Sequence, residues 1–115
     1  MITAKLRKPR GKARYFRFLI DSGADYTLIS QKDAFLLGIN YKKIRRKEIK
    51  VELANSSSVS AKKIELLLSI ENLEFKIPVL IFKKEVDSLL GRKGVFDLFD
   101  ITFKEREGFI VFKRA

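Results

Sequence analysis

The stretch Phe18-Leu19-Ile20-Asp21-Ser22-Gly23-Ala24-Asp25 runs an apolar strand into an acid, then a small hydroxyl residue, then glycine and alanine. The apolar residues place the Asp21 carboxylate at a strand end, and the small residues after it make a tight loop. Gly23 permits backbone angles that other residues resist and lets a second chain or a ligand approach closely. Ser22 can hydrogen-bond backbone or a symmetry mate and stiffen the loop, while Ala24 keeps its floor shallow. Asp, Ser and Gly are also ordinary turn residues, so the tetrapeptide alone reads equally as a surface turn.

Outward from this loop the chain alternates. Residues 1–6 set Ile2, Ala4 and Leu6 against Thr3 and Lys5, as a half-buried strand does. Lys8-Pro9-Arg10-Gly11 is a turn, with proline presetting one backbone angle and glycine relaxing the next. Residues 13–21 return as a strand with Phe16, Phe18 and Ile20 on one face, and 26–30 is strand again. Residues 31–37 predict a short helix closed by Gly38. Residues 47–54 alternate Ile49, Val51 and Leu53 against Glu48, Lys50 and Glu52, a turn follows at 55–58, and 59–70 returns. After a turn at Asn72 come Phe75, Ile77, Val79 and Ile81, then the short apolar piece Leu89-Leu90-Gly91. Residues 94–99 predict a helical turn, and 100–104 with 109–113 a closing hairpin around Glu107-Gly108. Seven or more short strands with one or two short helices predict a mainly-β domain, a closed or nearly closed barrel. With 115 residues and no linker, residues 1–115 form a single domain.

Composition narrows the chemistry. The chain has no cysteine and no histidine, which excludes disulfides, thiolate metal sites and histidine-based catalysis. Proton transfer near neutral pH then falls to a carboxylate, a lysine or a tyrosine. No metal and no cofactor is expected. No apolar run approaches a membrane span and no secretion signal is visible, so a cytoplasmic protein with no membrane partner is expected. On the same ground the glycosylation sequon Asn55-Ser56-Ser57 is discounted. The net charge of +11 gathers at residues 5–17, with seven basic side chains and no acid, and at 42–50, with six and only Glu48 against them. Such clusters can bind nucleic acid. A solvated surface is the simpler reading and is favoured, because alternation along a half-buried strand already accounts for Arg14-Tyr15-Phe16-Arg17-Phe18.

A second element follows the Asp21 loop: Ser88-Leu89-Leu90-Gly91-Arg92, leading into Val95, Phe96 and Leu98. An apolar-apolar-Asp-Ser-Gly-Ala loop near the N-terminus and an apolar-apolar-Gly-Arg segment near the C-terminus, in this order, resemble the retropepsin-like aspartic proteases, the family of the retroviral proteases. The resemblance spans roughly residues 2–103. It implies an acid-protease-type β-barrel, a single lobe that acts as a homodimer on a peptide or protein substrate. It implies an aspartic endopeptidase in which two Asp21 carboxylates at the dimer interface activate a water. Ser22 and Gly23 complete the catalytic loop, and Ala24 and Asp25 contact substrate. A hairpin flap over residues 50–64 brings Ala54, Asn55, Ser56 and Ser57 to the substrate. Gly91 packs beneath the loop, and Arg92 pairs with Asp25 as structural support.

The chain departs from the family pattern in a flap tip without glycine, where Asn55 is expected to take the left-handed turn conformation. It also departs in an added hairpin after residue 100 and in its basic surface. Two other classes stay open: a catalytically inactive dimeric binding module of the same fold, and a nucleic-acid-binding β-barrel. The intact Asp-Ser-Gly-Ala loop favours the enzyme over both.

Overall fold

The computed structural model describes residues 1–52 and 56–96, together with the backbone of 99–104 and 109–114. Strand β1 (Ile2–Arg7) turns into β2 (Arg14–Ile20), antiparallel, with Ile2 opposite Phe18, Ala4 opposite Phe16 and Leu6 opposite Arg14. Period-two alternation therefore lays Ala4, Leu6, Phe16 and Phe18 on one buried face. The turn between them closes with the Gly11 amide donating to the Lys8 carbonyl at 2.9 Å. The expectation that glycine carries the unusual backbone angle there is corrected. Arg10 takes it, with φ of 63°, because it follows Pro9 at the third position of the turn, where a left-handed residue is needed.

β3 (Thr27–Ser30) runs into helix α1 (Gln31–Leu36). The Ser30 hydroxyl caps α1 by accepting from the Asp33 amide at 3.2 Å, and Gly38, at φ of 81°, follows its C-cap as the sequence predicts. A 3-10 turn at Tyr41–Lys43 comes next and has no counterpart in the sequence reading. β4 (Ile49–Glu52) and β5 (Ser58–Ile70) form an antiparallel arm with Val51 opposite Val59. β6 (Leu73–Phe82) returns along β5 from Ile70 back to Ala61. β7 is only Leu89–Leu90. The helical turn predicted at 94–99 is corrected. The chain coils over Arg92–Phe96 with non-helical angles at Lys93 and Gly94, residues 97 and 98 lie outside the described residues, and Phe99 already begins a strand. β8 (Phe99–Lys104) and β9 (Phe109–Arg114) pair with each other as a separate antiparallel ladder; the turn predicted at Glu107-Gly108 lies outside the described residues.

Six strands close into a barrel in the order β1-β2-β7-β3-β6-β5, with β5 pairing back to β1, and β4 hangs on β5 as a seventh. The 13-residue β5 makes this possible. Its first residues pair with β4, its length with β6, and its end, at Leu67, Leu68 and Ser69, with β1. The interior is filled by Leu6, Phe18, Ile29, Leu66, Leu68, Ile77, Val79, Ile81, Leu90 and Val95, all essentially inaccessible. Such burial stabilises by about 1.5–3 kcal/mol per large side chain, before the opposing loss of chain entropy. A smaller apolar cluster, Val59, Ala61, Leu80 and Phe82, sits at the root of the β4–β5 arm. No helix among the described residues is long and apolar enough to cross a membrane.

Candidate active site

Two parallel pairings set the site. β2 runs beside β7 with Leu19 opposite Leu89 and Ile20 opposite Leu90. β3 runs beside β6, and it touches β7 at Leu28 opposite Leu89. The chain leaving β2 cannot pair directly with β3, because β7 lies between them. It must loop over the end of β7, and residues 21–25 are that loop.

Backbone hydrogen bonds clamp it from below. The Leu19 amide donates to the Ser88 carbonyl at 3.0 Å and the Asp21 amide to the Leu90 carbonyl at 3.1 Å. In the other direction the Arg92 amide donates to the Ala24 carbonyl and the Lys93 amide to the Asp25 carbonyl, both at 2.8 Å. The Gly91 amide donates to the buried Thr27 hydroxyl at 3.1 Å. A Cβ on Gly91 would stand 2.3 Å from the carbonyl carbon and oxygen of Tyr26, so only glycine fits where the strand passes under the loop. Within the loop, Asp21 bends back on itself. Its Oδ1 accepts from the Gly23 amide at 2.9 Å, and its carbonyl from the Ala24 amide at 3.2 Å.

The outcome is a carboxylate on a rigid platform, exposed in the single chain together with Ser22 and Gly23, while Ala24 is half-buried. Asp25 and Arg92 form the ion pair the sequence suggests, at 2.6 Å. Their side chains are 59% and 55% exposed, so within one chain the pair is a surface contact. Ser56 and Ser57 lie at the free end of the β4–β5 arm, and Ser56 itself has a left-handed φ of 66°. Ala54 and Asn55 lie outside the described residues. Thus the structure brings residues 21–25 and 90–93 into one unit, with the arm as a separate element. Among the described residues no group of three or more acidic side chains gathers that could hold a metal ion.

The sequence reading passed over three residues beside this unit. Tyr26 follows Asp25 directly, and the ammonium groups of Lys63 and Lys93 both lie over its ring. Strand alternation explains Tyr26 and Lys63 without any site, and only barrel closure brings residues 26, 63 and 93 together.

The sequence profile of the “gag-polyprotein putative aspartyl protease” family matches residues 11–93. Among curated proteins, none matches the chain in sequence. In structure the chain is similar to a retropepsin-like aspartic protease from Rickettsia conorii, with 22% identity, 90% of this chain and 74% of that one covered, and a TM-score of 0.65. It is also similar to the EIAV protease complexed with the inhibitor HBY-793, with 16% identity, coverage of 79% and 81%, and a TM-score of 0.56. At these identities both likenesses speak for the fold. A retropepsin-like barrel, built around a clamped Asp-Ser-Gly-Ala loop and matched by the family profile over most of its length, places this chain in the gag-polyprotein aspartyl protease family.

Proposed function

We propose that the protein is an aspartic endopeptidase that works as a homodimer, with Asp21 as its catalytic residue. One observation carries the reading: the Asp21 carboxylate stands exposed, with no ion-pair partner among the described residues, on a loop whose backbone is locked from below by β7 and the turn after it. An exposed acid held this rigidly is half of a two-carboxylate site, and a second copy supplies the other half. Isologous pairing of the loops on a two-fold axis brings the two Asp21 carboxylates to about 3 Å, where both cannot be ionised together.

The pair then holds one proton and titrates as a unit. The ionised member takes a proton from a water held between the two. That water's oxygen attacks the peptide carbonyl carbon while the protonated member hydrogen-bonds the carbonyl oxygen. Collapse of the tetrahedral species breaks the C–N bond, with a proton delivered to the leaving amine from the carboxyl pair. Backbone clamping matters because preorganised groups lose little free energy in reaching the reacting geometry. The β4–β5 arm acts as the flap, gripping an extended peptide by strand-like hydrogen bonds, with Ser56 and Ser57 at its tip. Asp25 contacts the peptide backbone while Arg92 holds its carboxylate.

The test is Asp21→Asn, nearly isosteric and exposed in the single chain. Hydrolysis of a casein or peptide-library substrate is expected to fall by at least about a thousandfold, with circular dichroism and sedimentation unchanged. Wild-type turnover in the variant would remove Asp21 from the chemistry.

A further inference from the structure

Tyr26 is the first residue past Asp25, and its ring lies between two lysines that come from distant parts of the fold. The Lys63 ammonium, on β5, stands 5.2 Å from the ring centroid. The Lys93 ammonium, two residues past Gly91, stands 4.8 Å from it and donates to the phenol oxygen at 3.3 Å. The half-buried ring also packs against the apolar cluster at the root of the arm, as does Val51 of β4. It thereby lies between residue 25 of the Asp21 loop and the root of the β4–β5 arm.

The charge at this spot is unbalanced. Both lysines are exposed, and among the described residues no carboxylate lies within ion-pair distance of either ammonium. Asp25, the residue before Tyr26, is already engaged by Arg92. Glu65 shares the outer face of β5 with Lys63 but makes no ion pair among the described residues. The hydrogen bond from Lys93, then the positive charges of Lys63 and Lys93, pull the Tyr26 phenol below its usual pKa. The Tyr26 oxygen accepts from Lys93, which leaves its own proton free to be donated outward.

We infer that Tyr26, Lys63 and Lys93 form an acid-selecting subsite beside the Asp21 loop, so that preferred substrates carry a Glu or Asp side chain at one position near the scissile bond. This rests on the protease reading above and names its substrate class. A carboxylate there receives charge-assisted hydrogen bonds from two ammonium groups and the phenol, with the ring as an apolar floor for its methylenes. A lysine or arginine at the same substrate position meets like charge and is rejected.

The probes are octapeptides with a central Phe-Leu pair, carrying Glu or its isostere Gln at each flanking position in turn. Affinity is measured on the Asp21→Asn protein, and kcat/KM on the wild type. At one position Glu is expected to exceed Gln by about three- to tenfold in both, shrinking as added salt screens the charges. The ratio should fall to near one in the Lys63→Gln/Lys93→Gln protein and persist in Lys63→Arg/Lys93→Arg, both at exposed positions. No position with a Glu preference, or a preference that survives in the double Gln variant, overturns the subsite. Hydrolysis without preference sinks the subsite alone. A charge-dependent preference in binding, without Asp21-dependent hydrolysis, upholds the subsite and removes the protease reading instead.

Discussion

At Gly91 the strand and the loop above it meet through backbone alone, and this contact decides how firmly Asp21 is held. A methyl group there must displace the Tyr26 carbonyl, because neither neighbour is the flexible end of a side chain. Gly91→Ala is expected to cost about 1–3 kcal/mol and to depress turnover, since the shift is passed on to residues 21–25. A thermal melt and a rate measurement check it, and an unchanged melt would show that the loop yields freely. Arg92 offers the contrast. The family resemblance makes it structural support through its pair with Asp25, but more than half of each side chain faces solvent in the single chain. Arg92→Ala should therefore cost at most about 1 kcal/mol of chain stability. Its larger effect is expected on dimerisation, where a second chain would cover the pair. The pair itself was legible because a family motif places both partners. Arg10 and Ser56 were not legible as left-handed residues, because glycine or asparagine stood next to each and is the commoner choice.

Among the elements, the segment between α1 and β4 is held by polar contacts that no periodicity announces. The Tyr41 hydroxyl donates to Glu48 at 2.8 Å, and the Lys62 ammonium donates to the carbonyls of Tyr41 and Ile44 while lying over the Tyr41 ring. Burial first, then the Glu48 contact, raises the Tyr41 phenol well above its ordinary pKa. The same hydrogen bond is the chief reason that Glu48 lies below the usual carboxylate value. A depressed carboxylate contributes stability that is fully present above its ordinary value and is lost as pH falls through the depressed one. The melting temperature of Tyr41→Phe should therefore lie a few degrees below wild type at neutral pH, with the gap closing in acid. A gap that does not change with pH would mean the lost contact is packing and not the Glu48 bond. Glu74, pulled down chiefly by its hydrogen bond from Arg7, adds to the same acid-side loss in both proteins. The strands were readable because each half-buried strand alternates over several residues. β7 was readable only as an apolar fragment. A two-residue strand has no period, and its place between β2 and β3 follows from barrel closure.

Over the whole molecule, closure converts a linear pattern into a site. Six strands paired edge to edge leave the Asp21 loop, the segment after β7 and the β4–β5 arm on one barrel, although residues 21, 51 and 91 are far apart in sequence. Several of the basic side chains behind the net charge of +11 are engaged within the chain. Arg7 is taken by Glu74, Lys8 by the Gly38 carbonyl, and Lys5 lies over the Tyr15 ring. The proposed activity needs two Asp21 residues, one from each of two chains. Mixing wild-type protein with an equal amount of Asp21→Asn chain, under conditions that let subunits exchange, tests it most directly. If each active unit needs both carboxylates, random pairing should lower peptide hydrolysis per wild-type chain by about half, and further as the inactive chain is added in excess. Hydrolysis per wild-type chain that stays constant at every mixing ratio would contradict the shared site.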